Sequence, residues 1–194
     1  GAATIERAVK SAIDAGCDHV FVYDDASTDD TGEVIGELIG TYQEMAWPRG
    51  GGKIRHGVNY ARNHLIDCAH DNSLIVCLDS DDTLRDITPL VEAWEPNTWC
   101  YGNQAEVLNE CAKVIYKGAP AGSLARKNIT GVTFLFAKDD WQRVGGFNPN
   151  YAYCEDYSFP CALVNAGVQP KYVDTVVYDR YIRPEGNERT VLAG

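Results

Sequence analysis

The chain has 194 residues, 45% of them hydrophobic, which suits one domain with a full core, or a domain with a small appendage. Its 28 acidic and 17 basic residues give a net charge of −11. The basic face on which a duplex-nucleic-acid binder depends is therefore missing, and nucleic acid is not an expected partner.

In chain order, TIERAVKSAIDA (4–15) places Ile5, Ala8, Val9, Ala12 and Ile13 on one stripe and predicts a helix closed by Gly16. DHVFVYDD predicts a short strand over about 19–23 that ends in Asp24 and Asp25. ASTDDT is a turn in which Asp29 and Asp30 read as caps of the helix GEVIGELIGTYQ. A glycine-rich basic loop covers 48–57, and GVNYARNHLIDCAH predicts a third helix. SLIVCL is apolar on both faces, as in a central strand. ITPLVEAW reads as a helix with Pro89 in its first turn, and 98–118 holds short strand-like runs. GVTFLFA (131–137) is a strand, and DDWQRVGGF is a short helix closed by glycines. EDYSFPCALVNAG (155–167) is a helix that Pro160 should kink or open, and KYVDTVVYDRYIRP is a late strand. Alternating helices and strands predict an α/β fold whose central sheet is mostly parallel at first and mixed towards the end.

The seven cysteines are odd in number and form no CxxC pair. They predict reduced thiols and a cytoplasmic location. No apolar run approaches the ~18 residues of a membrane span, and no signal peptide is expected.

Two predicted strands end in acids: VFVY runs into Asp24–Asp25, and LIVCL into Asp79–Ser80–Asp81–Asp82. Ligands of open α/β sheets bind beyond the carboxyl ends of the strands, so neighbouring strands would aim both groups at one cleft. One group could accept hydrogen bonds from a nucleoside. The other could ligate Mn²⁺ or Mg²⁺, which favour a few carboxylates plus phosphate oxygens. Helix capping is the alternative use of strand-end aspartates. A base for an alcohol nucleophile has to stand apart from such a metal site, and Glu155–Asp156 lie some 75 residues downstream.

YDDASTDDT, YARNHL, CLDSDDTL, VGGF and CEDYSF follow one another in the order and approximate spacing of family 2-like glycosyltransferases, over residues 4 to 183. The chain resembles that family, and is also similar to the glycosyltransferase domains of large algal viruses (chloroviruses), which would act in the host-cell cytoplasm. The resemblance implies the GT-A fold. It implies one domain over 1–194, with a nucleotide-binding part at about 1–84 and an acceptor-binding part at about 85–194. It implies a nucleotide-diphosphate sugar donor, UDP-linked, and a glycan or other hydroxyl acceptor. Asp24 or Asp25 would contact base or ribose, and Arg62 would lie near the base. Asp79 would face ribose or metal-bound water, and Asp81 would bind Mn²⁺ or Mg²⁺ directly. Asp156 would be the general base of an inverting displacement. Arg180, Arg183 and Arg189 are candidates to close over the diphosphate, or plain surface arginines. Trp141 and Phe147 are read as core, with sugar stacking the alternative, and His56 and His64 as packing histidines. The sequence departs from the family at its start: members begin with an apolar strand ending in a P-x-Y-N-like turn, whereas these residues open on a helix.

Asp79, Asp81, Thr83 and Leu84 also satisfy the D-x-D-x-T-L of haloacid-dehalogenase-like phosphatases, with Lys138, Asp139 and Asp140 as later partners. That reading leaves YDDASTDDT and Glu155–Asp156 without a role. A sugar nucleotidyltransferase would need a glycine-rich phosphate loop after a first strand. A non-catalytic sugar- or nucleotide-binding module would not need Asp156.

Overall fold

The computed structural model describes residues 1–46, 54–108, 111–116, 120–151 and 154–182. Helix α1 (Ala2–Asp14) leads to β1 (Val20–Phe21), α2 (Thr31–Thr41) and β2 (Met45–Ala46). Then come α3 (Val58–Cys68), β3 (Leu74–Val76), β4 (Thr83–Leu84), α4 (Thr88–Ala93), β5 (Thr98–Leu108) and β6 (Cys111–Tyr116). β7 (Leu135–Ala137), α5 (Lys138–Val144), α6 (Glu155–Asn165) and β8 (Gln169–Ile182) complete the described chain. Most predicted elements fall within a few residues of these. Pro160 does not open α6 but lies within it, buried.

The sheet is mixed, but its balance differs from the expected one. β1 and β2 pair in parallel, as do β5 and β8, while β3–β7, β5–β7, β4–β8 and β5–β6 are antiparallel. β1–β2 also stands apart from the six-stranded sheet, whose main path runs β3-β7-β5-β8-β4. Between β1 and β3 lies a cavity of about 650 Å³. Every residue from Asp18 to Tyr23 and from Asn72 to Ser80 lines it. Side chains alternate along a strand, so continuous lining means that both backbone edges face the gap. Among the described residues no strand fills it. The parallel pairing expected between the first strands is therefore not made, which is where the sequence departs from the family pattern.

Three apolar clusters hold the domain. Ile5, Val9, Val22, Ile35, Leu38 and Met45 join α1, α2 and β1. Ala12, Leu84, Leu90, Cys100 and Val177 fill the middle. Trp99, Tyr101, Phe134, Phe136, Phe147 and Phe159 form the third, beneath α6. Six described cysteines, Cys17, Cys68, Cys77, Cys100, Cys154 and Cys161, are free thiols. No helix among the described residues is long and apolar enough to cross a membrane.

Candidate active site

β1 and β3 end at the same edge of the molecule, over the first turns of α3. The Asp25 carboxylate accepts the backbone N–H groups of His56 (2.7 Å) and Gly57 (2.9 Å), and so fixes the entry to α3. Asp24 accepts the Ser27 N–H within its own turn, at 2.9 Å. Beside Asp25, His56 stacks on Tyr60 with ring centres 4.4 Å apart, and Tyr23 reaches His56 Nδ1 at 3.3 Å. The two histidines read as packing residues thus belong to an aromatic group at the mouth of the cleft, with His64 edge-on to Tyr23. Asp29 serves the start of α1 and α2, accepting Ala2 N–H and the Thr31 hydroxyl, in line with its expected capping role.

α3 carries a polar face at spacings of three and four residues: Asn59, Arg62 and Asn63. Arg62 is 7% exposed. Its Nη2 donates to Asp79 Oδ1 at 2.9 Å and its Nη1 to Glu155 Oε1 at 3.4 Å. Burial opposes the guanidinium charge, but Cys77, Asp79 and Glu155 more than offset it and leave its pKa raised. Arg62 therefore joins the two acidic motifs, a link that no sequence spacing suggests. Asn63 Oδ1 accepts Trp141 Nε1–H (3.0 Å) and Phe147 N–H (2.8 Å), and its Nδ2 donates to Phe147 O at 2.7 Å. Gly146, at φ 75°, lets the chain pass: a Cβ there would fall 2.7 Å from Asn63 Oδ1. Asn59 holds the next turn through the carbonyls of Asn148 and Tyr151. Trp141 and Phe147 are thus core, as their first reading had it, and Phe147 stacks on Phe159 at 4.2 Å.

After β3 the acids divide their tasks. The Asp79 side chain is 40% exposed, with one oxygen engaged by Arg62. Arg7, on α1, donates to the backbone carbonyl of Asp81 at 2.7 Å and lies over the Tyr181 ring. Asp82 turns inward and accepts Tyr181 N–H at 2.9 Å. Burial, with Asp81 and Asp79 adding to it, pushes the Asp82 carboxyl up to about 7. Among the described residues no three His, Cys, Asp or Glu side chains are gathered into a metal cage. A hard cation whose shell is completed by phosphate oxygens needs only one or two carboxylates from the protein. Asp79 and Asp81 are the residues that would hold it.

Glu155 and Asp156 open α6 behind Cys154, which sits in the left-handed region at φ 65°. Glu155 faces Arg62, while Asp156 Oδ2 accepts Asn128 Nδ2–H at 2.8 Å. Arg180 pairs with Glu106 at 3.6 Å, and Arg183 and Arg189 lie outside the described residues. Lys138 is buried and donates to the carbonyls of Asp67 (3.1 Å) and Ala69 (2.6 Å), closing the end of α3, while Asp140 pairs with Arg143. The lysine and acid that a phosphatase would need are thus committed to structural contacts. Asn63, Arg7 and Asn128 were missed in the sequence, where the asparagine of YARN was the one available signal.

Among solved structures, GalNAc-T7 with UDP, GalNAc and Mn²⁺ superposes with a TM-score of 0.76 at 15% identity, covering 100% of this chain and 44% of that one. S. aureus TarS 1–349 in complex with UDP gives 0.66 at 17% identity, covering 94% and 59%. The mannosyltransferase PcManGT from Pyrobaculum calidifontis, with GDP-Man and Mn²⁺, gives 0.70 at 19%, covering 96% and 55%. The chain thus spans about half the length of these structures. No curated protein matches it. Residues 1–107, more than half of the 194, match glycosyl transferase family 2. The chain has the GT-A fold and belongs to glycosyl transferase family 2.

Proposed function

We propose that this domain moves a sugar from a nucleoside-diphosphate sugar, UDP-linked, to a hydroxyl of a glycan or other acceptor, with Mn²⁺ or Mg²⁺. The observation that carries the reading is the Arg62 bridge, which brings the acids after β3 and the first turn of α6 to one guanidinium. Asp81 stands two residues from Asp79, and Asp156 directly follows Glu155, so the donor and acceptor roles are assigned to the two ends of this bridge. UDP in two of the compared structures, and Mn²⁺ in two, support the donor and metal classes. GDP-Man in the third keeps a guanosine donor as the alternative.

In this reading residues 1–84 bind the donor and 85–194 the acceptor within one domain in the cytoplasm. Asp25 and the Tyr23–His56–Tyr60 group face the nucleoside, with Asp24 shaping the turn beneath it. Asp81 would hold the metal, and Asp79, steadied by Arg62, would face the ribose or a water on the metal. Arg183 comes after β8 in the sequence and is assigned to the diphosphate by the family resemblance. When bound, the cation offsets the negative charge that develops on the departing diphosphate. Asp156 takes the acceptor proton as the hydroxyl oxygen attacks the anomeric carbon. The new C–O bond forms as the bond to the diphosphate breaks, so one displacement inverts the configuration.

Release of nucleoside diphosphate from a panel of UDP-, GDP- and dTDP-sugars, with and without Mn²⁺, tests this. Metal-dependent release from a UDP-sugar is the expected result. Hydrolysis of a simple phosphate monoester that depends on Asp79, with no release from any donor, would contradict it.

A further inference from the structure

Asp156 has a neighbour that the transfer reaction does not yet use. The segment from Leu124 to Gly131 crosses the first turn of α6. It is docked at both ends: Leu124, Ile129 and Thr130 are buried, and Tyr157 on α6 donates to Leu124 O at 2.7 Å. Gly131, at φ 62°, presses so close to the sheet that a Cβ would collide with the Tyr178 hydroxyl and with Gln104 Oε1. Between these anchors stands Asn128. Its Oδ1 accepts two backbone hydrogen bonds, from Thr130 N (3.1 Å) and Gly131 N (3.3 Å), while the Thr130 hydroxyl is shared between this oxygen (3.2 Å) and Gly131 O (3.0 Å).

An amide oxygen that meets two backbone N–H groups has its orientation decided, because reversing the group would set NH₂ against N–H. The amide nitrogen must then point the other way, and there it donates to Asp156 Oδ2 at 2.8 Å. We propose that Asn128 is the positioning residue of the Asp156 base: it holds the carboxylate rotamer and favours its ionised, proton-accepting form. This rests on the reading of Asp156 as the base. A hydrogen bond to the charged form of a carboxylate stabilises that form.

Other charged or titratable groups among the described residues stand near Asp156, with Cys154 at the N-cap of α6 and Cys161 on that helix among them. Glu155 is engaged by Arg62, and behind it Arg62 is shared with Asp79. Arg126 and Lys127 are exposed on the same segment as Asn128. The Tyr157 hydroxyl is directed at Leu124. The Asn128 amide donates directly to the Asp156 carboxylate.

A brace of the 128–131 turn and a positioner of the base respond differently to Asn128→Asp. That variant keeps the oxygen that Thr130 and Gly131 donate to, but sets a second carboxylate against Asp156. The Asp156 carboxyl is followed by ¹³C NMR titration and assigned by its absence in Asp156→Asn. The pH profile of turnover is followed with the UDP-sugar of highest rate in the donor panel. Asn128→Asp is expected to raise the Asp156 pKa by about one unit or more. The acid limb of the pH profile should move with it, and Asn128→Ala should shift both in the same direction by less. An Asp156 titration unmoved in Asn128→Asp, with Asp156→Asn inactive, would overturn the role of Asn128 alone. Turnover surviving in Asp156→Asn would remove the base reading and the role of Asn128 with it.

Discussion

The two sides of the cleft are built differently. On the side proposed for the acceptor, Phe134, Phe136, Phe147 and Phe159 interlock with ring centres 4.2 to 6.5 Å apart, and α6 rests on them. On the side proposed for the donor, β1 and β3 face each other across a cavity of about 650 Å³. There α1 packs on its neighbours through Ile5, Val9 and Ala12, and adds polar ties from Arg7 to the Asp81 carbonyl and from Leu84 N–H to the Ser11 hydroxyl. A proton-accepting carboxylate needs its place held to a fraction of an ångström, and close packing supplies that. The nucleoside end is held by hydrogen bonds at a helix start instead, through Asp25.

Truncations to alanine on the two sides should therefore differ in cost by more than their size difference alone. Phe136→Ala, at 0% exposure among three other phenyl rings, should lose about 3–5 kcal/mol in urea unfolding. Leu65→Ala, whose side chain already faces the cavity, should lose about 1 kcal/mol, because there is less close packing to lose. Equal losses would erase the contrast. Arg62→Ala spans both sides. It strands Glu155 against the core and Asp79 at the surface, and should destabilise by about 3 kcal/mol, the low end for a broken buried pair because Asp79 is partly solvated. Asn63→Ala leaves Trp141 Nε1–H and the Phe147 backbone without partners and should lose about 2–3 kcal/mol, all of it on the acceptor side.

The smallest effect is one of pH. Burial raises the Asp140 pKa above the ordinary carboxylate value, with Arg143 opposing it. The folded chain then binds this proton more tightly than the unfolded chain. The stabilisation is complete below the ordinary value and is lost as pH rises through the raised one. Unfolding in urea across that window should isolate this contribution as a difference: the wild type should lose stability relative to Asp140→Asn as pH rises.

The elements and acidic motifs were legible because periodicity and strand-end charge are local signals. VFVYDD, CLDSDD and CEDY each gave a side chain near the cleft. Partners were not legible, because they are set by packing across long sequence separations. Arg62 was expected near a base, yet it meets Glu155 across 93 residues. Asn63 meets the Phe147 loop across 84 residues, and Arg7 meets Asp81 across 74. Pro160 was expected to kink or open α6, but the helix starts five residues earlier and continues to Asn165. The balance of the sheet was misjudged for a related reason. A both-faces-apolar run such as SLIVCL marks a strand buried on both faces, but not the direction of its neighbour, and β3 pairs antiparallel with β7.

The central claim is a division of labour: Asp81 serves the donor's metal and Asp156 serves the acceptor's proton. Calorimetric titration of UDP with Mn²⁺, run beside turnover for wild type, Asp81→Ala and Asp156→Asn, tests it most directly. Asp81→Ala should lose Mn²⁺-dependent UDP binding. Asp156→Asn should bind UDP like the wild type and turn over at least about 10²-fold more slowly. Wild-type turnover in Asp156→Asn, or undiminished Mn²⁺-dependent UDP binding in Asp81→Ala, would contradict the account.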